Sequence, residues 1–187
     1  MNSKLKKLYC LCSLGLFPFS ALAAPTVTFQ GEVTAQTCAV EINGQTNSVV
    51  LLPTVALTDF GATLAASQTA GLTPFTISVS GCVAPASAQN ITTQFLGYDV
   101  DGTTGVLGNT NTSSEAASGF GIQLLSDSTG AAGTEVILNG VTDVPGLVLA
   151  AGETSASHEF GARYYSLGAD GTAGKITAVA EYTVSYL

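Results

Sequence analysis

The chain has 187 residues, room for one domain, and only 10% of them are charged, against about 25% in an average globular protein. Its 13 acids outnumber five basic residues, and three of those five (Lys4, Lys6 and Lys7) sit at the extreme N-terminus. The remaining body, with Arg163 and Lys175 its only cations, carries 2 − 13 = −11. That excludes a nucleic-acid binder held by a basic patch and disfavours docking on an anionic membrane.

Residues 1–23 read as a secretory signal peptide. The three lysines precede an apolar run from Leu8 to Phe17, Pro18 breaks it, and Ala21-Leu22-Ala23 supplies small residues for cleavage before Ala24. The stretch from Leu8 to Leu22 is shorter than the ~20 residues a spanning helix needs. Cys10 and Cys12 leave with the signal. Cys38 and Cys82, 82 − 38 = 44 positions apart, then form an even pair, which in an exported chain reads as one disulfide. A metal site built from two Cys and the single His lacks a fourth ligand.

Next, Val27, Phe29, Gly31 and Val33 alternate with Thr28, Gln30 and Glu32 in an amphipathic strand. On spacing alone it is either the first strand of the domain or an arm that projects from it. Further short strands are expected at Ser48–Leu52, Phe75–Ser80, Ile91–Leu96, Phe120–Leu124, Glu135–Leu138, Leu147–Ala150 and Glu159–Tyr164, with a helical turn within Ala62–Ala70. Asn43-Gly44, Asp101-Gly102, Asn139-Gly140 and Asp170-Gly171 punctuate them as turns. At the C-terminus, Gly174, Ile176, Ala178, Ala180, Tyr182, Val184 and Tyr186 alternate with Lys175, Thr177, Glu181, Thr183 and Ser185, Val179 being the exception. This predicts one long amphipathic strand that stops a residue short of Leu187. Many short strands separated by turns argue for an all-β sandwich.

Little in the chain supports catalysis. His158 is the sole histidine, and at the start of an alternating strand it reads as an ordinary surface or edge histidine rather than the base of a Ser–His–Asp triad. Asp99-Val100-Asp101-Gly102 has no Glu at the twelfth position of a calcium loop and reads as a turn. Asp127–Gly130 reads as a solvated hairpin loop. Arg163 is expected to pair with Glu159, four residues away on one strand face. No catalytic residue, metal ligand or cofactor is assigned.

Several pieces in order resemble one family. They are Thr26-Val27-Thr28-Phe29-Gln30-Gly31-Glu32-Val33 with the following Cys38, then Leu52-Pro53-Thr54-Val55, and Gly71-Leu72-Thr73-Pro74-Phe75 leading to Gly81-Cys82. Gly121-Ile122-Gln123-Leu124-Leu125, Ala162-Arg163-Tyr164-Tyr165 and the final strand follow, with Gly174 fourteenth from the end and Tyr186 penultimate. Together they resemble the structural subunits of chaperone–usher fimbriae of Gram-negative bacteria, above all the major pilins of type 1-like fimbriae. The resemblance implies an incomplete immunoglobulin-like sandwich that lacks its last strand. It implies three segments: the signal peptide at 1–23, an N-terminal donor-strand extension at 24–36, and a pilin domain at 37–187. Val27, Phe29, Gly31 and Val33 would be the donor side chains. Gly174, Ile176, Ala178, Ala180, Tyr182 and Val184 would line the acceptor groove, and Tyr186 with the Leu187 carboxylate would engage a periplasmic chaperone. Partners would be neighbouring pilin subunits, joined head to tail, that chaperone and an outer-membrane usher. Only 14 residues, Ala24–Thr37, precede Cys38 in the mature chain. That short arm keeps a minor tip adaptor or single-domain adhesin of the same system as the alternative.

Overall fold

A computed structural model describes Val33, Gln36 and residues 38–46 and 48–186. The signal peptide, Val27, Phe29, Gly31 and Leu187 lie outside the described residues. Eight strands follow one another: β1 (Ala39–Ile42), β2 (Thr69–Ser80), β3 (Gln89–Gly97), β4 (Phe120–Leu125), β5 (Glu135–Val136), β6 (Val141–Leu149), β7 (Ala156–Ser166) and β8 (Ala180–Ser185). They make a five-stranded sheet, order β1-β2-β7-β4-β5, and a three-stranded sheet, order β6-β3-β8. All strand pairings are antiparallel.

The period-two pattern explains which faces meet. Phe75, Ile77 and Val79 of β2 point inward with Phe160 and Ala162 of β7, and Ile91 and Phe95 of β3 point inward from the other sheet. Three phenylalanines tie the layers together. Phe160 stacks on Phe75 within its own sheet at 5.7 Å and meets the edge of Phe95 across the interior at 5.9 Å. The same core packs Cys38 and Cys82, whose disulfide joins the start of β1 to the residues just after β2.

Several expected boundaries move. β2 starts at Thr69, six residues before Phe75, because β7 is long enough to pair with it back to Tyr165. β6 starts at Val141 directly after the Asn139-Gly140 turn, while β5 keeps only Glu135–Val136 of the expected Glu135–Leu138. The helical turn falls at Leu57–Asp59 rather than within Ala62–Ala70, where the Asp59 carboxylate accepts the Ala56 N–H at 2.7 Å. Ser48–Leu52 forms no strand among the described residues, although its composition asks for one. Finally, the C-terminal strand proper is Ala180–Ser185, not the whole of Gly174–Tyr186. The reason lies in its partners. β3 pairs with it only as far as Gly97 and Tyr98, and an irregular loop at 109–117 takes over beyond that point.

Candidate functional site

The site begins with an unfinished sheet. β8 stands at the end of the three-stranded order, bonded to β3 on one side and to no other described strand. Such an edge presents a row of backbone donors and acceptors. Inside that edge the side chains of Ile176, Ala178, Ala180, Tyr182, Val184 and Tyr186 turn toward the core, but each is only half-buried, while Thr177, Val179, Glu181 and Thr183 are exposed. The expected alternation therefore runs on from 176 to 184 although the strand assignment does not. The inward face stays half-buried because it borders a cavity of about 540 Å³. Ile176, Ala178, Ala180 and Tyr182 line it from the C-terminal segment, with Phe75, Phe95, Leu107, Ile122, Leu124 and Ala162 among the walls and floor.

The run Ser48–Leu52 also lines this groove. Val50 and Leu52 pack against the core, while Val49 and Leu51 are 76% and 81% exposed. This five-residue stretch has strand composition but no ladder partner among the described residues, and it lies beside an edge of β8 that no other described strand pairs. Sequence reasoning found this segment but not its unpaired state, because nothing local in 48–52 says which neighbour is absent.

The remaining expected positions separate. Gly174 does not line the main groove. It borders a smaller cavity of about 290 Å³ with Phe60, Phe120 and Lys175, which meets the groove at the shared residues Tyr164 and Ile176. Val184 and Tyr186 pack on the core beyond the groove, and the Gln89 amide donates to the Tyr186 carbonyl at 3.1 Å. Tyr182 reaches across one end of the groove, its hydroxyl donating to the Thr46 carbonyl at 3.3 Å. Burial raises the Tyr182 phenol above its ordinary range, and the Glu41 carboxylate adds to the effect. Val33, the one donor position among the described residues, is fully exposed.

The polar residues set aside at the outset have ordinary structural work. The His158 imidazole hydrogen-bonds the Ser126 carbonyl at 2.8 Å and lies edge-on to Phe160 at 4.7 Å. Asp101 accepts from the Thr104 hydroxyl and the amides of Thr103 and Thr104, bonds that hold its carboxyl below the usual range. Arg163 does not pair with Glu159. Four residues along one strand span about 13 Å. The β4–β7 register instead puts Arg163 opposite Gln123, whose carbonyl accepts from Nε at 2.9 Å, and Glu135 of β5 lies 3.2 Å from its Nη2. Glu159 accepts the Ser128 hydroxyl.

An immunoglobulin-like sandwich, open along one edge over an apolar groove, is thus the class of molecule that fold and site define. The chain belongs to the fimbrial protein family, whose model matches residues 27–187. It is a structural subunit of a fimbria, in a family of structural rather than enzymatic proteins. It is 37% identical to the F17 fimbrial protein of Escherichia coli over 86% of each chain. Against the major fimbrial subunit SMF-1 of Stenotrophomonas maltophilia it is 35% identical, over 92% of this chain and 99% of that one. In fold it resembles a subunit of a chaperone–usher pilus, with a TM-score of 0.56 and 18% identity over 88% of this chain and 96% of the other. The P pilus rod subunit PapA gives a TM-score of 0.57 at 16% identity over 80% and 99%.

Proposed function

We propose that this chain is the repeating subunit of a surface fimbria and polymerises by donor-strand exchange. The observation that carries this reading is the groove of about 540 Å³ beside an edge of β8 that no other described strand pairs. An apolar trough beside a strand edge that no described strand covers is an aggregation hazard. A strand added there pairs the edge with backbone hydrogen bonds and seats alternate side chains in the trough. Residues 24–36 of the next copy supply that strand, with Val27, Phe29, Gly31 and Val33 facing inward. Burying Val27, Phe29 and Val33 at about 1.5–3 kcal/mol each contributes several kcal/mol before any ladder bond. Donor and acceptor are different surfaces of one chain, so the contact is head to tail and generates a filament rather than a closed ring.

Before assembly, a periplasmic chaperone occupies the same edge, with Tyr186 and the Leu187 carboxylate among its contacts, and an outer-membrane usher exchanges it for the next subunit. The chain carries out no turnover of its own. Its disulfide and its signal-like N-terminus both fit an exported protein. The experiment joins a copy of residues 24–35 behind Leu187 through a short flexible linker. The fused chain is expected to run as a stable monomer on size exclusion, to melt well above the unfused chain and to form no fibres. An unchanged melting midpoint would refute the reading.

A further inference from the structure

β3 ends at Gly97, and its last bond to the C-terminal segment is Tyr98 N–H to the Val179 carbonyl at 3.0 Å. Upstream of Val179 the C-terminal segment lies against no described strand, yet Ile176 and Ala178 keep the inward orientation of β8 and line the groove. A side chain holds them there together with backbone bonds from Thr110 and from the 115–117 loop to Thr177 and Lys175. Asn109 Nδ2 donates to the Lys175 carbonyl at 3.0 Å, and its Oδ1 accepts the Thr177 N–H at 2.9 Å. These are the two bonds a neighbouring strand residue would make, one on each side of Ile176. The same amide is itself fixed, donating to the Ala117 carbonyl at 2.9 Å and accepting the Asn111 N–H at 3.0 Å. Thr110 completes the splice, its N–H donating to the Thr177 carbonyl at 2.8 Å.

The consequence falls on the opposite edge. In an extended chain, successive residues turn their N–H and C=O groups to opposite sides. Lys175, Thr177 and Val179 direct theirs to the loop and to Tyr98, so Ile176 and Ala178 direct theirs to the open side. We propose that Asn109 is a positioning residue for strand acceptance: its carboxamide stands in for a missing strand residue and extends the usable acceptor edge from Ala180 back to Ile176. The proposal rests on the reading of the groove as a strand acceptor.

Hydrogen exchange on the full chain, refolded with and without an excess of a synthetic peptide of residues 24–35, tests it. In the unaltered protein the peptide is expected to protect the amides of Ile176, Ala178, Ala180, Tyr182 and Val184. In Asn109→Ala, protection at Ile176 and Ala178 should fall by about tenfold or more while that at Ala180, Tyr182 and Val184 remains. Asn109→Asp keeps the acceptor for Thr177 but loses the donor to Lys175, and should fall between the two. It also carries the test if the alanine variant does not fold. Equal protection along the whole segment in all three proteins would overturn the role of Asn109. A general loss of protection in both variants, or failure of both to fold, would overturn it too, since it would make Asn109 a residue of the core. A peptide that protects nothing even in the unaltered chain would instead sink the strand-acceptor reading itself.

Discussion

Replacing Gly174 with alanine perturbs the wall of the smaller cavity beside the groove by a single carbon. The backbone of Gly174 does not lie in the left-handed region, so alanine meets no conformational penalty there; its only difficulty is space. A Cβ at that position would lie 2.5 Å from Ala117 N, 2.5 Å from Glu115 O and 2.6 Å from Ala116 C, all backbone atoms that cannot rotate away. Ordinary contact begins at 3.4 Å, so the 115–117 loop must retreat by 3.4 − 2.5 = 0.9 Å. That displacement breaks the bonds from Lys175 N–H to Glu115 O (2.7 Å) and from Ala117 N–H to Lys175 O (3.0 Å). At about 1 kcal/mol each the loss is about 2 kcal/mol. For a domain of this size it lowers the melting midpoint by about 4–8 °C. Gly168→Ala is the control: nothing lies within 4 Å of its Cβ and its backbone is likewise outside the left-handed region. Calorimetry on the peptide-complemented chain should show a clear drop for Gly174→Ala and none for Gly168→Ala. Equal midpoints for the two variants would refute the close-approach reasoning.

Thr93, fully buried in β3, has a hydroxyl oxygen with no hydrogen-bond partner among the described residues. Thr93→Val removes that uncompensated group at constant shape and should stabilise the domain by about 1 kcal/mol in denaturant unfolding. The Glu135 carboxyl is held below the ordinary glutamate range by its own amide, by the Gly133 N–H and by Arg163. Its folded-state pKa is lowered, so its contribution is present above about pH 4.3 and is lost as pH falls through the lowered value. Glu135→Gln should therefore lose less stability on acidification than the unaltered chain, read from midpoints at neutral and acid pH. Replacing both Cys38 and Cys82 with Ser frees a 44-residue loop and should cost about 4 kcal/mol, seen as a melting midpoint that no longer responds to reductant.

The parts of this architecture written in alternation were legible in the sequence. The inward faces at 75–79 and 176–186 follow from side-chain period alone, and the disulfide from two cysteines in an exported chain. Register and neighbours were not legible. Arg163 finds Glu135 rather than Glu159 because the pairing of β7 with β4 and of β4 with β5, fixed by distant turns, decides who is near whom. The C-terminal strand looked continuous because its own residues are, whereas its partner changes from β3 to a loop whose key bond comes from the Asn109 side chain, 68 positions away from Thr177. No periodicity encodes such a bond. Ser48–Leu52 has the composition of a strand but no ladder among the described residues, because strand formation needs a second chain segment as much as it needs propensity.

Cysteine cross-linking in assembled fibres tests most directly whether one copy completes the sheet of the next. Phe29→Cys would be combined in turn with Ala178→Cys and Ala180→Cys, and oxidised fibres run on a non-reducing denaturing gel. The account predicts a ladder of covalent dimers, trimers and longer multimers for at least one combination, and for neither cysteine alone. Intact fibres that yield only monomers with both combinations, or cross-links confined within single chains, would contradict it.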